Sequence, residues 1–352
     1  MQMKKGKVWI GVLSIVVMAT LFTLSGLSDF ELDNATVSTH HFPSGQNVLV
    51  GSLIVPKGIT SPPIVLIVHG DGAQDRFSES GYLPLINQFI DAGIGVFTWD
   101  KPGVGESSGD WLNQSMQDRI DEAGAALNAV RSLPEMDRRK IGFLGFSQAG
   151  WVIPSAAGKF QPAFSVIVGG ALNWREQGVY YTRQKLAHAG LSGAEIERQV
   201  SAELKANDAV FGQPELAYPT QRPDIEPRRF AFIARSYLAD ATKSVSTMSG
   251  PVLALWGSDD LNVDPQKNAA RYQQLLTARL HQQVVVVPEA THGLLRARLF
   301  NYQLTPEWPQ WKRGAFMILG RKAYAPGAIK QMTEWITTEV SNNTLRVPHL
   351  PE

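Results

Sequence analysis

Ser147 lies in the sequence GFSQAG (residues 145–150), which directly follows an apolar run, residues 141–144, and directly precedes a helical pattern. This arrangement predicts a sharp strand-to-helix turn that presents the serine hydroxyl. The amide groups and dipole of the helix that begins there would favour negative charge that develops at the site. Ala149 replaces the second glycine of G-x-S-x-G and is also small. With 31 glycines in the chain, such a match often arises by chance. The flanking strand and helix are therefore what favour a nucleophile over a surface serine near a helix N-cap.

A serine hydroxyl becomes a good nucleophile only when a base removes its proton and a third group holds that base. In the chain order nucleophile, acid, histidine, three of the seven histidines are eligible: His281, His292 and His349. His281 opens a predicted strand, and His349 lies in a tail between prolines. His292 follows a predicted strand and lies in the small-residue loop ATHG. We therefore predict His292 as the base, with an ordinary loop histidine as the alternative.

The acid that holds this base is expected on the loop after the preceding strand. That loop, GSDDLNVD (residues 257–264), offers three carboxylates. The spacing Gly-x-x-Asp-x-x-Val selects Asp260, with Asp259 as the reserve. The carboxylates that do not act are expected to bond local amides in the turn.

Acyl transfer also requires hydrogen-bond donors for the oxyanion. The sequence HGDG (residues 69–72) follows the third predicted strand, where such a loop belongs. The backbone N–H groups of Asp71 and Gln148 are the predicted donors. A carboxylate beside a developing oxyanion would be harmful, so the Asp71 side chain is expected to point away, towards Arg76. A simple glycine-rich turn is the alternative.

The composition excludes several kinds of chemistry. The 352 residues contain no cysteine, which rules out a disulfide framework, a thiolate zinc site, an iron–sulfur cluster and a cysteine nucleophile. The 33 basic and 32 acidic residues give a net charge of +1, without the basic excess that nucleic-acid binding requires. With 44% hydrophobic and 18% charged residues, the chain is neither disordered nor a polytopic membrane protein.

Short β-branched runs alternate with longer helical patterns from about Thr36, which predicts an α/β fold. Several runs, such as residues 64–68, have no polar face, as expected of strands covered on both sides in a mostly parallel sheet. The predicted strands are Thr36–His41, Asn47–Val55, Pro63–Val68, Gly93–Thr98, Lys140–Phe146, Phe164–Val168, Val252–Trp256 and Gln282–Val287. The predicted helices are Leu83–Ala92, Gln114–Ser132, Gln148–Lys159, Gln266–Ala278 and Pro326–Val340.

Residues 173–248 interrupt this alternation. They show helical periodicity and a proline-rich middle without a convincing strand, which predicts a helical insertion between two strands of the sheet. The aromatic residues after His292 are expected either to cover an acyl pocket together with this insertion or to belong to the core. These residues are Phe300, Tyr302, Trp308, Trp311 and Phe316.

The amino terminus begins with three lysines, at positions 4, 5 and 7, followed by a run without charge from residue 8 to residue 27. A basic start before an apolar stretch is typical of an export signal, and twenty residues also suffice to span a bilayer as a helix. A cleaved signal (residues 1–28) and an uncleaved membrane tether (residues 8–27) are the two interpretations.

Gly26 and Ser28 fit the −3 and −1 positions of a cleavage site before Asp29. In either interpretation the lysines stay on the cytoplasmic side and the remainder is exported. The expected location is periplasmic or extracellular, either free or tethered to the inner membrane. A lipoprotein is excluded because no cysteine is available for acylation.

The chain resembles a serine hydrolase of the α/β-hydrolase superfamily between about residues 48 and 340. Gln148 after the serine, GDW at residues 109–111 and GWV at residues 150–152 are similar to one branch. That branch contains bacterial carboxylesterases similar to dienelactone hydrolases and to prolyl-oligopeptidase-like peptidases. The segments that carry the resemblance are HGDG (69–72), DKPGVGES (100–107), GFSQAG (145–150), GSDD (257–260) and HG (292–293).

The resemblance implies an α/β-hydrolase fold, with a mostly parallel, twisted eight-stranded sheet flanked by helices. Residues 36–172 and 249–342 would form this core, residues 173–248 a helical lid, and residues 343–352 a tail. The resemblance also implies that no cofactor takes part. It gives residues 100–107 a structural role as a tight turn at the edge of the site.

Together these residues predict hydrolysis of a small carboxylic ester of short to medium chain length, through an acyl-enzyme on Ser147. A peptidase or amidase and a thioesterase use the same chemistry and are alternatives, although the chain has no room for a separate peptide-selecting propeller. A binding module that kept the fold and lost turnover is the alternative of another class. No sequence feature predicts the oligomeric state.

Overall fold

One sheet of eight strands organises the molecule. The computed structural model describes residues 2–212, 222–276 and 281–345. In chain order, the strands are β1 (Ala35–Ser44), β2 (Asn47–Pro56), β3 (Ile64–Val68), β4 (Gly95–Trp99), β5 (Ile141–Phe146), β6 (Ser165–Val168), β7 (Val252–Gly257) and β8 (Gln282–Val287).

The strand order across the sheet is β1-β2-β4-β3-β5-β6-β7-β8. β1 pairs with β2, and β2 with β4, in antiparallel fashion, whereas every later pair is parallel. The mostly parallel eight-stranded sheet expected from the sequence is therefore confirmed. Because the carboxyl ends of parallel strands meet at one edge, the loops that follow β3, β5, β6, β7 and β8 lie along the same rim.

Helices occupy both faces of the sheet and the segments outside it. Within the described residues they are α1 (Gln2–Leu27), α2 (Leu83–Asp91), α3 (Met116–Arg131), α4 (Ile153–Phe160), α5 (Trp174–His188), α6 (Gly193–Phe211), α7 (Pro227–Ser236), α8 (Thr242–Thr247), α9 (Pro265–Leu276), α10 (Ala297–Phe300), α11 (Gln310–Leu319) and α12 (Ala328–Leu345).

Two apolar cores cover the two faces of the sheet. α2 and α12 pack over one face, and α3, α4, α8 and α9 pack over the other. All five residues of β3 are buried, which explains why that strand has no polar side in the sequence. Each fully buried Val, Leu or Ile side chain contributes about 1.5–3 kcal/mol relative to exposure. The central strands thus fix the register on which the loops at the rim depend.

All eight strands and all five helices expected from the sequence are present, with ends that differ by a few residues. α10 and α11 were not expected. Residues 306–320 contain two prolines and two glycines, which argue against a helix in the sequence. In the structure, α11 contacts α1 rather than the sheet. The positions of the apolar residues in α11 therefore depend on its contact with α1, which the local sequence pattern does not show. His349 and residues 346–352 of the expected tail lie outside the described residues.

The described parts of residues 173–248, for which the sequence predicts a helical insertion, contain α5, α6, α7 and α8 between β6 and β7. The start of this insertion is joined to the segment just before α8. Asn173 donates through Nδ2 to Asp240 at 2.9 Å, and the backbone N–H of Ala241 donates to the carbonyl of Leu172 at 2.7 Å. The insertion is thus closed at its base, beside the carboxyl ends of β6 and β7.

The turn after β4 depends on a buried carboxylate. Asp100 is 1% exposed, and its two oxygens accept hydrogen bonds from the backbone N–H, Nε and Nη2 of Arg76 at 2.6–3.0 Å. Gly105 approaches the same carboxylate so closely that a Cβ would lie 2.4 Å from Oδ2. Desolvation raises the pKa of Asp100, but the bonds and charge of Arg76 lower it further, so the net pKa lies below its ordinary value.

We expect Asp100→Ala to lower the free energy of unfolding by about 3–5 kcal/mol, because the buried guanidinium of Arg76 loses its buried partner and keeps only the exposed Glu106. Asp121→Ala is the matched control, since Asp121 pairs with Lys159 on the surface, and such exposed pairs contribute about 0–1 kcal/mol. Urea unfolding followed by circular dichroism measures both. Equal destabilisation by the two substitutions would contradict the structural role of the turn.

Since the pKa of Asp100 is lowered, the contribution of the Asp100–Arg76 pair to the free energy of unfolding should persist at neutral pH and disappear as the pH falls through that pKa.

Candidate functional site

Ser147 occupies a strained turn between β5 and the helix that follows. Its φ is +55°, in the left-handed region that costs a residue with a side chain about 1–3 kcal/mol. Small neighbours make the turn possible. A Cβ on Gly145 would lie 2.4 Å from the Ala149 Cβ, and one on Gly150 would lie 2.7 Å from the Cα of Gly170. The strand-to-helix turn expected from the sequence is therefore present, and Ala149 fills the position of the missing glycine while fully buried.

Asp260 and His292 are joined by a hydrogen bond at the carboxyl ends of β7 and β8. Asp260 Oδ2 lies 2.7 Å from His292 Nδ1. The other oxygen of Asp260 accepts hydrogen bonds from the backbone N–H groups of Asn262 at 2.7 Å and Val263 at 2.9 Å. The carboxylate is 1% exposed, so these bonds hold it in a single orientation. The imidazole is thereby fixed through Nδ1.

The other ring nitrogen of His292 is available for a further partner. Nε2 is buried, and no described residue hydrogen-bonds to it. Gly169, directly after β6, lies against the ring, since a Cβ there would be 2.8 Å from Cε1 and Nδ1 of His292. Its neighbour Gly170 contacts Gly150 on the turn that carries Ser147. The two glycines after β6 therefore lie between the serine turn and the histidine ring.

The other carboxylates of the loop after β7 serve the loop itself. Asp259 is exposed and accepts a hydrogen bond from Ser258 Oγ at 2.6 Å. Asp264 accepts from the backbone N–H of Lys267 at 2.9 Å, at the start of α9. Asp260 is thus the one of these three that the structure joins to His292.

The loop after β3 carries Asp71, whose side chain contacts the insertion rather than Arg76. Arg229 of α7 donates to both carboxylate oxygens of Asp71, at 2.9 Å for the Nη1–Oδ1 pair. Arg76 instead bonds Asp100 and Glu106. The expectation that Asp71 points towards Arg76 is wrong, because the buried Asp100 already occupies that guanidinium. Desolvation raises the pKa of Asp71, but the hydrogen bonds and charge of Arg229 lower it more, so this carboxyl remains ionised at neutral pH.

A hydrogen-bonded chain joins the side chains of the two residues expected to supply oxyanion donors. Gln148 Nε2 donates to Asp71 Oδ1 at 3.2 Å. The oxygen of the same amide accepts from Arg119, a residue of α3 that is 2% exposed. Arg119 also donates to the carbonyl of His69 at 2.5 Å. The loop after β3 and the start of the helix after Ser147 are thus anchored by Arg119 on one side and by Arg229 on the other.

Lys101 also holds the loop after β3. Its side chain is buried, and Nζ donates to the carbonyls of Gly72 at 2.8 Å and Gly70 at 3.2 Å. The ammonium also lies 4.6 Å from the centre of the Trp111 ring, an attractive cation–π distance. Burial lowers the pKa of Lys101 well below its usual range.

No role was expected for Arg119 or Arg229 from the sequence, and Lys101 was expected only to belong to the tight turn of residues 100–107. A signal was present for Arg119, since residues 119, 122, 123 and 126 fall on one face of a helix and all are buried. Two charged residues on an otherwise apolar stripe indicate a buried polar network. The bond from Arg229 depends on how the insertion folds over the core, which no local pattern shows.

Two other histidines have structural partners. His69 Nε2 lies 2.5 Å from the carbonyl of Trp99, and burial lowers the pKa of His69 to about 3, so its ring is neutral. His281 pairs with Glu339 of α12 at 3.0 Å.

Ser147 opens into a cavity of about 490 Å³ between the core and the insertion. Asp71 and Gln148 line it from the core. Side chains of the insertion form most of the remaining wall, and these include Trp174, Tyr181, Leu204, Phe211, Ile233 and Tyr237. The wall is mixed in polarity, since it also includes the polar side chains of Arg175, Gln177, Thr182, Glu203, Asn207, Arg222, Arg229 and Asn262.

The aromatic residues after His292 do not line this cavity. Among the described residues of that stretch, Leu304 alone reaches its wall. Phe300, Trp308 and Phe316 instead pack on one another and on Phe30, with ring centres 4.9–6.0 Å apart. Of the two interpretations of these aromatic residues, a cover over the acyl pocket is therefore wrong. Phe300 is buried, and it packs with Trp308 and Phe316 beside Phe30, just beyond α1.

The sheet order, the strained serine turn and the carboxylate-bound histidine define an α/β-hydrolase. The family described as serine aminopeptidase, S33, matches residues 61–298, and the chain belongs to this family of serine hydrolases. The matched region begins just before β3 and includes the turn after β5, the whole insertion and the loops after β7 and β8. The resemblance to serine hydrolases of the α/β-hydrolase superfamily is confirmed.

The chain is also similar to individual proteins. It is 24% identical over 275 residues to an uncharacterized 31.7 kDa protein in the traX-finO intergenic region of Escherichia coli, covering 73% of this chain and 92% of that one. An esterase of Pyrococcus furiosus superposes with a TM-score of 0.53 and 18% identity, over 84% and 92% of the two chains. Est1E of Butyrivibrio proteoclasticus, solved with ferulic acid bound, gives a TM-score of 0.53 and 14% identity, over 87% and 100%. At these identities the two superpositions establish the fold.

Proposed function

We propose that the chain is a serine esterase in which Ser147 is the nucleophile, His292 the general base and acid, and Asp260 the group that orients the histidine. The observation that carries this proposal is the His292 ring, bonded through Nδ1 to a buried carboxylate while Nε2 has no partner among the described residues. An unpaired buried nitrogen costs about 1–3 kcal/mol. A serine hydroxyl or a departing alcohol would satisfy it. Catalytic hydrogen bonds are often long before substrate binds and shorten in the complex.

In the proposed reaction, the Ser147 hydroxyl attacks the ester carbonyl while its proton passes to His292 Nε2. The backbone N–H groups of Asp71 and Gln148 bind the oxyanion, and each such donor contributes about 2.7–4 kcal/mol. Collapse of the tetrahedral intermediate breaks the bond to the alkoxy oxygen, which takes the proton from His292. Water then attacks the acyl-enzyme and gives a proton to His292. The bond between the acyl carbon and Ser147 Oγ breaks, Oγ takes that proton from His292, and the acid product departs.

The wall of the cavity supports a short to medium acyl chain as substrate. Nine aromatic and aliphatic side chains from the described part of the insertion line it beside polar groups, and small-molecule sites typically combine apolar side chains with placed polar groups. The insertion acts as a lid in this proposal, because its residues complete a cavity into which the serine opens. Its contacts with the core lie at the site itself: Tyr180 donates to the carbonyl of Asp260 at 2.7 Å.

Cleavage of an aminoacyl amide is the second candidate. The family description, serine aminopeptidase, favours it, and Glu203 on the cavity wall is a carboxylate to which a substrate amine could bind. Rates on p-nitrophenyl esters and on aminoacyl-naphthylamides, measured on the same preparation, separate the two. An esterase turns over the first set, with a decline at long acyl chains, whereas an aminopeptidase requires the free amine.

We expect Ser147→Ala to lower the turnover of p-nitrophenyl acetate by about 10³-fold or more, since the nucleophile is lost. Ser155→Ala, which removes a hydroxyl from α4 outside the site, is the matched control and should retain activity. Circular dichroism establishes that both variants are folded. Turnover that survives in Ser147→Ala would refute the proposal.

Asp260→Asn and Asp259→Asn provide a matched pair at adjacent positions. We expect the first to reduce kcat by about 10³- to 10⁴-fold, the size of the effect when the aspartate of a Ser-His-Asp unit loses its charge. The second removes an exposed charge that does not contact His292 and should change kcat by less than about twofold. If Asp259→Asn has the larger effect, Asp259 is the acid and the assignment fails.

Arg229→Gln should lower kcat with a smaller effect on KM, because the Asp71 carboxylate then keeps only one side-chain partner among the described residues, Gln148, and can turn towards the developing oxyanion. Misplacement of a catalytic group by about 1 Å costs up to about 100-fold in rate, and we expect a loss of about 10-fold or more. Arg228→Gln is the control, since the adjacent Arg228 joins the insertion to Asp110 outside the oxyanion loop. Equal effects of the two substitutions on kcat would show that Arg229 only attaches the insertion.

A further inference from the structure

The carboxyl end of α1 packs against the body of the protein. A Cβ atom on Gly26 would lie 1.7 Å from the carbonyl oxygen of Ile318, so α1 and α11 meet at a distance that only glycine permits. Just beyond α1, the ring of Phe30 meets Phe316 of α11 edge-on, with centres 5.8 Å apart. α1 and α11 therefore form one continuous structural unit.

The residues immediately after α1 are buried in the same unit. Asp29 is 4% exposed, and its carboxylate accepts hydrogen bonds from the backbone N–H and Nε of Arg321 at 2.7 and 2.6 Å. Asn87 of α2 donates to the carbonyls of Asp29 at 2.7 Å and Glu31 at 2.8 Å. The bond after Ser28, where a signal would be cleaved, thus lies in a helical turn that is anchored on its carboxyl side by three elements of the fold.

α1 and α11 share an exposed apolar surface, which we call the α1–α11 face. The window Val12–Phe30 has a mean hydropathy of 1.7, and only 11% of it is buried in the molecule. On α11, Trp311 is 64% exposed and Ile318 is 40% exposed. These two residues are seven positions apart and so project from one side of the helix. Met317 beside them is 48% exposed.

Basic and aromatic side chains border this face. Lys322 Nζ lies 4.2 Å from the centre of the Phe22 ring, and Lys312 Nζ lies 5.1 Å from a ring of Trp311. Lysine stems along apolar surface and tryptophan rings are characteristic of the boundary between hydrocarbon and lipid headgroups. The chemistry of the α1–α11 face therefore matches a lipid bilayer rather than water.

We propose that α1 is retained as a membrane-spanning helix and that α11 lies on the bilayer surface beside it, inserting Trp311, Met317 and Ile318 among the lipids. The occupant of the α1–α11 face is the bilayer itself, because α1 is long and apolar enough to cross it and α11 packs on the end of α1. The body is then attached at two points, which fixes its orientation on the membrane. Leu304, which lines the cavity and is 48% exposed, precedes α11 and places one edge of the cavity near this surface.

The absence of native cysteine allows a direct test on the full chain. Trp311→Cys, labelled with the environment-sensitive fluorophore NBD, is reconstituted in phosphatidylcholine–phosphatidylglycerol liposomes with or without nitroxide lipids that quench at the headgroup boundary. The label at position 311 should lose most of its emission when nitroxide lipid is present. Val48→Cys is the matched control, because Val48 is 51% exposed but lies at the far end of the β1–β2 hairpin from the α1 junction, and its label should stay bright.

Quenching at position 311 no greater than at position 48 would overturn the contact between α11 and the bilayer. If the label at position 311 is unquenched and the unlabelled Trp311→Cys chain forms disulfides between copies, the face is an interface between two molecules, and the proposal is again wrong. Mass spectrometry of the protein extracted from membranes tests retention of α1: the expected mass includes the residues before Asp29, and a mature chain that begins at Asp29 would refute it. None of these measurements depends on the activity of Ser147, so they stand apart from the proposed esterase function.

Discussion

The left-handed backbone of Ser147 is the constraint around which the rest of the site is arranged. A residue with a side chain adopts a φ of +55° only where its surroundings force it. Here β5 is hydrogen-bonded to a strand on each side, and the chain turns into a helix at once. The turn can close only because Gly145 and Gly150 leave room for Ala149 and Gly170. Replacing either glycine with a larger residue would push the serine out of the rim where the other loops converge.

Charged and polar side chains organise the electrostatics around that turn. Arg119, Gln148, Asp71 and Arg229 form an unbroken chain from the core to the insertion. Asp71 keeps its negative charge because Arg229 outweighs the cost of desolvation. Lys101, with its pKa depressed by burial, holds the same loop through two carbonyl groups. The loop after β3 and the turn at Ser147 are thus held by a network in which Arg119, Gln148 and Asp71 each have more than one partner.

Most of the sheet and the placement of His292 and Asp260 at its rim could be predicted from the sequence, because each depends on local pattern. An apolar run such as residues 64–68 has no polar side because both faces of its strand are covered. Asp260 and His292 lie in loops that directly follow predicted strands, so their positions follow from those of the strands. Contacts between distant segments could not be predicted. Asp71 was expected to face Arg76, yet the competing carboxylate of Asp100 lies 24 residues beyond Arg76 in the chain. The aromatic residues after β8 were interpreted as cavity wall or core, since nothing local indicates that Phe316 packs on Phe30.

The closure between Asn173 and Asp240 has a consequence for how such a protein can diverge. Because the chain leaves the core after β6 and returns to it at one hydrogen-bonded point, ahead of α8 and β7, the helices between those two residues behave as an exchangeable cassette. Recombination or drift within the cassette alters the volume and polarity offered to a ligand while the strand register beneath it is preserved. New specificities can therefore arise on this scaffold without renewed selection for folding of the sheet.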